Sequence, residues 1–336
     1  MTIHETDVVI VGAGPAGLFS VFQCGMLKLR CHVVDVLESV GGQCQALYPE
    51  KYIYDIPAHP KLMAQDLVER LKEQAAPFSP TYHLKTQVVS LHQADDKRWH
   101  AGLSNGTTLI APAVIIAAGY GSFGPNRPPL QGIEEYEGTS VQYFVSRRED
   151  YRDKRVIIAG GGDSAVDWAL NLVEVAARVM VVHRRPKFRA APDSEAKLLS
   201  LASEGALDLV VPYQLHSLEG ANGRLSAVQV ATLDGQIKTL QADSLLAFFG
   251  MSMDLGPIAT WNLAMDGANI AVNPASMQTN MVGIFAVGDI CTYPGKLKLI
   301  LSGFAEAAQA AHNAYTLVHP GEALHIEHSS TAGVPR

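Results

Sequence analysis

The sequence predicts an α/β protein with two βαβ units, one inserted into the chain of the other, and three observations carry that expectation. Two runs of β-branched and aliphatic residues, Asp7-Val8-Val9-Ile10-Val11 and Lys154-Arg155-Val156-Ile157-Ile158-Ala159, each lead directly into a glycine cluster. A third apolar run, Val282 to Ile290, ends in Gly288-Asp289 and precedes an alanine-rich helical stretch around Phe304 to Ala314. Composition agrees: 48% hydrophobic, 18% charged and 29 glycines suit α/β layers joined by tight turns. At 336 residues the chain exceeds the size at which a single core usually stops growing, so two domains are expected.

The first run reads as a parallel strand buried on both faces. Gly12-Ala13-Gly14-Pro15-Ala16-Gly17 follows at once. In such a fingerprint the first glycine permits the strand-to-helix turn, the second lets backbone approach a pyrophosphate, and the third allows close helix packing. The helix N-terminus, with about half a positive charge, faces the phosphates. Cys31-His32-Val33-Val34-Asp35 then supplies a second strand ending in an acid. Asp35 is placed to accept hydrogen bonds from ribose hydroxyls and would repel a 2′-phosphate, so FAD or NAD fits this site and NADP does not.

The second cluster, Gly160-Gly161-Gly162-Asp163-Ser164-Ala165, opens a helix expected to run through Val166 to Val175. Its next strand, Val179 to Val182, ends at His183-Arg184-Arg185, with Arg189 shortly beyond, and no acid stands where a ribose diol needs one. Guanidinium groups present paired donors that match phosphate oxygens. Arg184, Arg185 and Arg189 are therefore candidates for the 2′-phosphate of NADPH, with His183 near the adenine.

The Gly288-Asp289 segment resembles the second FAD motif of the pyridine-nucleotide disulfide oxidoreductases, a resemblance that gives Asp289 the pyrophosphate–ribitol side of the flavin. Gly41-Gly42-Gln43 and Val114 to Gly119 occur in the same order as in that superfamily. Together these marks make FAD the ligand of the first site. The order of FAD fingerprint, inserted NADP unit and returning Gly-Asp motif is similar to the thioredoxin reductase fold, which implies two Rossmann-like domains in three ββα layers. Expected boundaries are 1–118 with 251–336 for the FAD domain and 119–250 for the NADP domain, joined by a two-strand hinge. Antiparallel additions are expected around Trp99 to Leu103 and Ala227 to Val230.

Thioredoxin reductases carry a C-x-x-C just before the second fingerprint, but the corresponding stretch here, Tyr143 to Tyr151, contains no cysteine. Other segments resemble the thioredoxin-reductase-like ferredoxin–NADP⁺ reductases. Gly41 to Pro57 is similar to that family's flavin-covering stretch, with Tyr48 matching the aromatic that stacks on the isoalloxazine. Ala118 to Pro125 resembles the domain-crossing segment, with Phe123 at the flavin site, and Val88 matches the position that touches adenine. The tail from about residue 320, containing His325 to Thr331, resembles the extension that covers the other flavin face, often from a partner subunit. His328 and Ser329, or Ser330, match its ring and its hydroxyl near N5.

The resemblance thus implies hydride transfer from NADPH to FAD, followed by one-electron transfers to ferredoxin or flavodoxin, in a homodimer. Arg147, Arg148, Arg152, Lys154, Arg155, Lys296 and Lys298 are candidates for docking an acidic carrier, although charge runs are usually solvated faces. Three other readings stay open at this level. They are an NADPH diaphorase with small acceptors, a thioredoxin-reductase-like enzyme using Cys44 beside the flavin, and a non-catalytic NADPH or redox sensor.

Other classes find no support in the sequence. A net charge of −7 argues against general nucleic-acid binding. Cys24, Cys31, Cys44 and Cys291 lack metal-ligand spacing, so no metal is expected. The N-terminus has no basic region before an apolar one, and no apolar run reaches the roughly 18 residues of a membrane span, so a cytoplasmic location is the expectation.

Overall fold

The computed structural model describes residues 2–322, 324 and 333. The chain divides into two compact units, one formed by residues up to 123 with those from 253 onward, the other by residues 124–252.

In the first unit an all-parallel sheet runs in the order Ile284–Ala286, Ala113–Ile116, Val8–Val11, Cys31–Val34, Thr81–His83. All four side chains of Val8–Val11 are buried, which requires cover on both faces. The period of two along a strand sends Val9, Val11, Val114 and Ile116 to one face, and Val8, Ile10, Ala113 and Ile115 to the other. The first set packs on Trp99, Ala101, Leu103 and Leu109. These belong to a four-stranded sheet ordered Ile3–Glu5, Thr108–Ala111, Trp99–Leu103, Val88–Gln93, in which Trp99–Leu103 is antiparallel to both neighbours. The second set packs on Val21 and Cys24 of the helix Pro15–Met26, and on Ala310, Ala311 and Ala314 of the helix Ile300–Val318. Sheet, sheet and helices make three layers.

The second unit repeats the plan. Its parallel sheet runs Val141–Gln142, Ser244–Ala247, Arg155–Ala159, Arg178–Val182, Asp208–Val210. Ile157, Ala159, Met180, Val182 and Leu245 pack against Leu225, Val228, Val230 and Leu240 of an antiparallel three-stranded sheet, Gln214–Ala221, Arg224–Ala231, Ile237–Gln241. The helix after the second glycine cluster, Asp163–Leu172, buries Ala165, Val166, Trp168, Ala169 and Leu172. It ends three residues short of the expected Val175, and Val175 instead caps the last turn by donating its N–H to the carbonyl of Leu172.

Both units therefore place a glycine cluster at the carboxyl end of a central parallel strand. That is where an open α/β sheet leaves room for a ligand.

A histidine pair bridges two strands of the first unit, with His32 Nδ1 and His83 Nε2 3.0 Å apart. Burial, and then the neighbouring His83 and His4, push His32 down to about 4, and burial likewise lowers His83. Because the folded state favours the neutral rings, the unfolded chain takes up protons first as pH falls below about 6.5. Stability should therefore decline as pH falls from 6.5 toward 4. A His32→Gln variant should flatten the decline between pH 6.5 and 5 in urea unfolding; an unaltered slope would dismiss the pair as its source.

Candidate functional site

The first glycine cluster opens the helix Pro15–Met26, and backbone crowding dictates its residues. Gly12 has φ +108°, and a Cβ there would lie 2.4 Å from the carbonyl oxygen of Ala117. A Cβ on Gly17 would lie 2.0 Å from the carbonyl oxygen of Gly12. Strand, neighbouring strand and helix meet here with no space for a side chain. Gly14 differs, because its nearest neighbour would be Gly42 Cα at 3.8 Å, while a Cβ on Gly42 would approach Gly14 Cα to 2.9 Å. Bare backbone on both sides thus forms a cradle that side chains would fill.

One cleft collects Gly12, Gly14, Pro15, Ala16, Asp35, Gly42, Gln43, Tyr48, Val88 and Asp289. Gly17 lies beneath it in the helix–strand packing. His328, Ser329 and Ser330 lie outside the described residues, as does the side chain of Phe123. The cleft also includes Leu37, Thr86, Gln87, Pro257, Ile258, Leu299, Ile300 and Gly303, which sequence reasoning missed. Gly303 had left a signal. It interrupts an alanine-rich helix, where glycine costs about 0.5–1 kcal/mol relative to alanine. The reason is packing, since a Cβ there would sit 3.3 Å from Ala16 Cβ and 3.4 Å from Gly288 Cα.

Asp35 is 8% exposed, and its carboxylate accepts the N–H groups of Ala13 at 2.6 Å and Leu37 at 2.8 Å. Burial raises its pKa and these two donors oppose the rise. Asp35 also lines the cleft, so the acid locks the turn and stays at the ligand's side at once. Asp289 stands on the turn Gly288–Ile290. Burial raises its carboxyl, and Lys296 and Lys298 pull it down.

In the second unit, Gly160, Gly162, His183, Arg184, Arg185 and Arg189 come together in a cleft with Arg127, Tyr213, Gln214 and Phe248, and no carboxylate among the described residues lines it. Gly161 leaves room for an imidazole, since a Cβ there would lie 2.2 Å from the His183 ring. The basic loop is clipped onto the glycine turn. Arg189 N–H donates to the carbonyl of Gly161 at 2.6 Å, and Ala191 N–H donates to Asp163 Oδ1 at 2.9 Å. Asp163 is thereby occupied in holding the loop, Ser164 is exposed, and Ala165 is buried under the turn. Burial lowers the pKa of His183, the main chain at Lys187 opposes this, and the three arginines lower it further. The charge of this cleft is carried by guanidinium groups.

Residues 6–316 match the pyridine nucleotide-disulphide oxidoreductase family. The chain belongs to that family. A ferredoxin–NADP reductase of Paramagnetospirillum magneticum is 70% identical over 336 residues, covering 100% of both chains. One from Rhodospirillum rubrum is 60% identical, over 98% of this chain and 97% of the relative. Among solved structures, thioredoxin reductase of Lactococcus lactis matches with a TM-score of 0.80 at 23% identity, covering 94% of this chain and 99% of that one. T. acidophilum thioredoxin reductase also reaches 0.80, at 20% identity, over 93% and 98%. These structures confirm the thioredoxin-reductase-like fold.

Within this pyridine nucleotide-disulphide oxidoreductase all four cysteines are free and buried. Cys44 is 2% exposed and its Sγ lies 3.7 Å from the Tyr48 hydroxyl, donating to it. Burial pushes the Cys44 thiol up to about 11. It therefore stays protonated near neutrality, unlike a thiol that exchanges with disulfides. Its hydrogen bond joins it to Tyr48, which lines the cleft.

One expectation about surface charge needs correction. Lys296 is not available to a docking partner, because its side chain is 4% exposed and pairs with the equally buried Glu306. Arg148, Arg152 and Arg155 pair with Glu174, Glu149 and Asp243, so much of the basic run neutralises itself. Lys298 is exposed and lies 5.2 Å from the ring centroid of Tyr120.

Alkylation by iodoacetamide should leave Cys44 unmodified at pH 7.5 and proceed only as pH rises toward 11. Fast labelling of Cys44 in native protein at pH 7.5, read by peptide mass spectrometry, would contradict the buried-thiol assignment.

Proposed function

We propose that this chain is a ferredoxin–NADP⁺ reductase, holding FAD in the first cleft and NADPH in the second. One observation carries the reading: two fingerprints of the same backbone design end in opposite chemistry, the buried carboxylate of Asp35 in one and Arg184-Arg185 in the other. The full-length relatives called ferredoxin–NADP reductases support it. FAD bound in the first cleft would supply acceptance of a hydride from NADPH and release of single electrons. Gly12, Gly14, Pro15 and Ala16 bring backbone and a helix N-terminus to the pyrophosphate, with Gly17 supporting them from behind. Asp35 accepts the ribose hydroxyls, Gly42, Gln43 and Asp289 hold the opposite side of the chain, and Val88 meets the adenine. Tyr48, hydrogen-bonded by Cys44, would cover one flavin face, and Phe123 matches a residue of the family's flavin site. His328 and Ser329 or Ser330, which match the family's residues for the other face and for N5, would serve there.

Gly160, Gly162, Asp163, Ser164 and Ala165 shape the second turn, His183 lies by the adenine, and Arg184, Arg185 and Arg189 grip the 2′-phosphate. Ferredoxin is the proposed electron partner, with flavodoxin as an alternative, in a cytoplasmic homodimer. What supports the carrier over a disulfide is that no cysteine of the chain is exposed. No described helix is long and apolar enough to cross a membrane.

Replacing both Arg184 and Arg185 with alanine should reduce the preference for NADPH over NADH by at least about tenfold, since a hydrogen bond to a charged group contributes roughly 1.5–3 kcal/mol. Steady-state kinetics with both nucleotides read the outcome; an unchanged preference removes the 2′-phosphate assignment. Cytochrome reduction by NADPH should rise strongly and saturably when ferredoxin is added. Equal rates with and without ferredoxin would instead identify a diaphorase, and flavin that NADPH fails to bleach would identify a sensor.

A further inference from the structure

Among the described residues only two carboxylates are buried, Asp35 and Glu306. Asp35 belongs to the cleft and is accounted for above, whereas Glu306 does not line it. Glu306 sits between Ala305 and Ala307 in the helix Ile300–Val318, on the face that otherwise carries alanine and glycine. A buried charge without recompense is costly, so its partners show what it does.

Those partners all come from one stretch of chain. Glu306 Oε2 accepts the Gly288 N–H at 2.7 Å and the Cys291 thiol at 3.6 Å. Oε1 accepts the Tyr293 hydroxyl at 2.7 Å and pairs with Lys296 Nζ. Four donors between positions 288 and 296 thus converge on one side chain. In their midst is Asp289, which does reach the cleft. From the other side, Asn269 Nδ2 donates to the carbonyl of Asp289 at 2.7 Å. Gly288, at φ +76°, is wedged against Ala16 of the first fingerprint, which a Cβ there would approach to 3.3 Å. The Gly288–Asp289 turn is clamped on every side, and Glu306 supplies the clamp from within the core.

We propose that Glu306 and Lys296 are a positioning pair, in which Glu306 fixes the Gly288–Asp289 turn for the cofactor of the first cleft and Lys296 neutralises the carboxylate that does so. This rests on the reading of that cleft as an FAD site. An apolar pair of similar volume would fill the same space, and replacing buried ion pairs in that way often leaves stability intact. It would not supply an acceptor to the Gly288 N–H. The pair is therefore explained by the turn it holds and not by the core it fills.

The test separates these two roles in the full-length protein. The double variants Lys296→Met/Glu306→Gln and Lys296→Met/Glu306→Leu both remove the two charges, but only the first keeps a side-chain acceptor for the Gly288 N–H. FAD affinity is measured by flavin fluorescence titration of flavin-stripped protein, and its thermal midpoint by circular dichroism. The glutamine variant should melt close to the wild type and the leucine variant lower, because it leaves the Gly288 N–H and Tyr293 hydroxyl without their acceptor. Measured where both are folded, the glutamine variant should bind FAD within about threefold of the wild type, and the leucine variant at least tenfold more weakly. Equal FAD affinity for the two folded variants would overturn the proposal and leave the pair a packing element. If the leucine variant does not fold, hydrogen exchange of the Gly288 amide decides: protection in flavin-stripped wild-type and glutamine proteins supports the clamp, and rapid exchange in wild type overturns it. Wild-type protein that takes up no FAD would overturn the assignment of the cleft itself, and the inference with it.

Discussion

Backbone contact at the carboxyl ends of two buried parallel strands is the constraint on which the rest of this structure depends. Val8–Val11 and Arg155–Ala159 lie at the centre of sheets covered on both faces, so their flanks offer no opening to a ligand. The ends of the strands do. There the chain must reverse into a helix, and Gly12 and Gly17 let carbonyl oxygens and helix come closer than any side chain permits. The same crowding that excludes side chains leaves the helix N–H groups pointing into an open cleft. Fold and site are consequences of one packing problem.

Opposite electrostatics on that common design set the two clefts apart. In the first, Asp35 is buried and spends part of its hydrogen-bonding capacity on Ala13 and Leu37, which fixes the turn it serves. In the second, the arginines are exposed and their loop donates main-chain N–H groups to the Gly161 carbonyl and the Asp163 carboxylate. A buried acceptor suits a neutral diol, whereas an exposed guanidinium pair suits a doubly charged phosphate that retains part of its hydration. Both cysteines near a site belong to the first unit. Cys44 donates to the Tyr48 hydroxyl and Cys291 joins the donors around Glu306.

Small residues are the less visible half of the first cleft. Ala16, Gly288 and Gly303 come from three distant points of the chain and meet where helix, turn and fingerprint cross. Their closeness lets the long helix Ile300–Val318 approach the nucleotide cradle, and so lets Glu306 reach the turn that carries Asp289. An alanine-rich sequence looks like featureless core. In three dimensions it is what allows one buried carboxylate to act beside a cofactor site.

Much was legible in the sequence because local rules are strong where backbone conformation is restricted. Glycine at 12, 14 and 17, β-branched runs before them, and the acid or arginines one strand later each follow from short-range geometry, so both βαβ units and the glycines, acid and arginines of the two clefts could be read directly, while Tyr48, Val88 and Asp289 came only from a family resemblance. Residues that reach a cleft from elsewhere could not. Thr86, Gln87, Pro257 and Ile258 carry no pattern of their own, and only the folded chain brings them to the nucleotide. Charge was misread for a related reason. Lys296 looks like any surface lysine until its partner ten residues later is seen to be buried with it, because desolvation is a property of the whole packed environment. The sequence by itself determined which nucleotide chemistry each unit offers; tertiary structure decided which charges face the ligand, which face a partner, and which are shut in the core to hold the others in place.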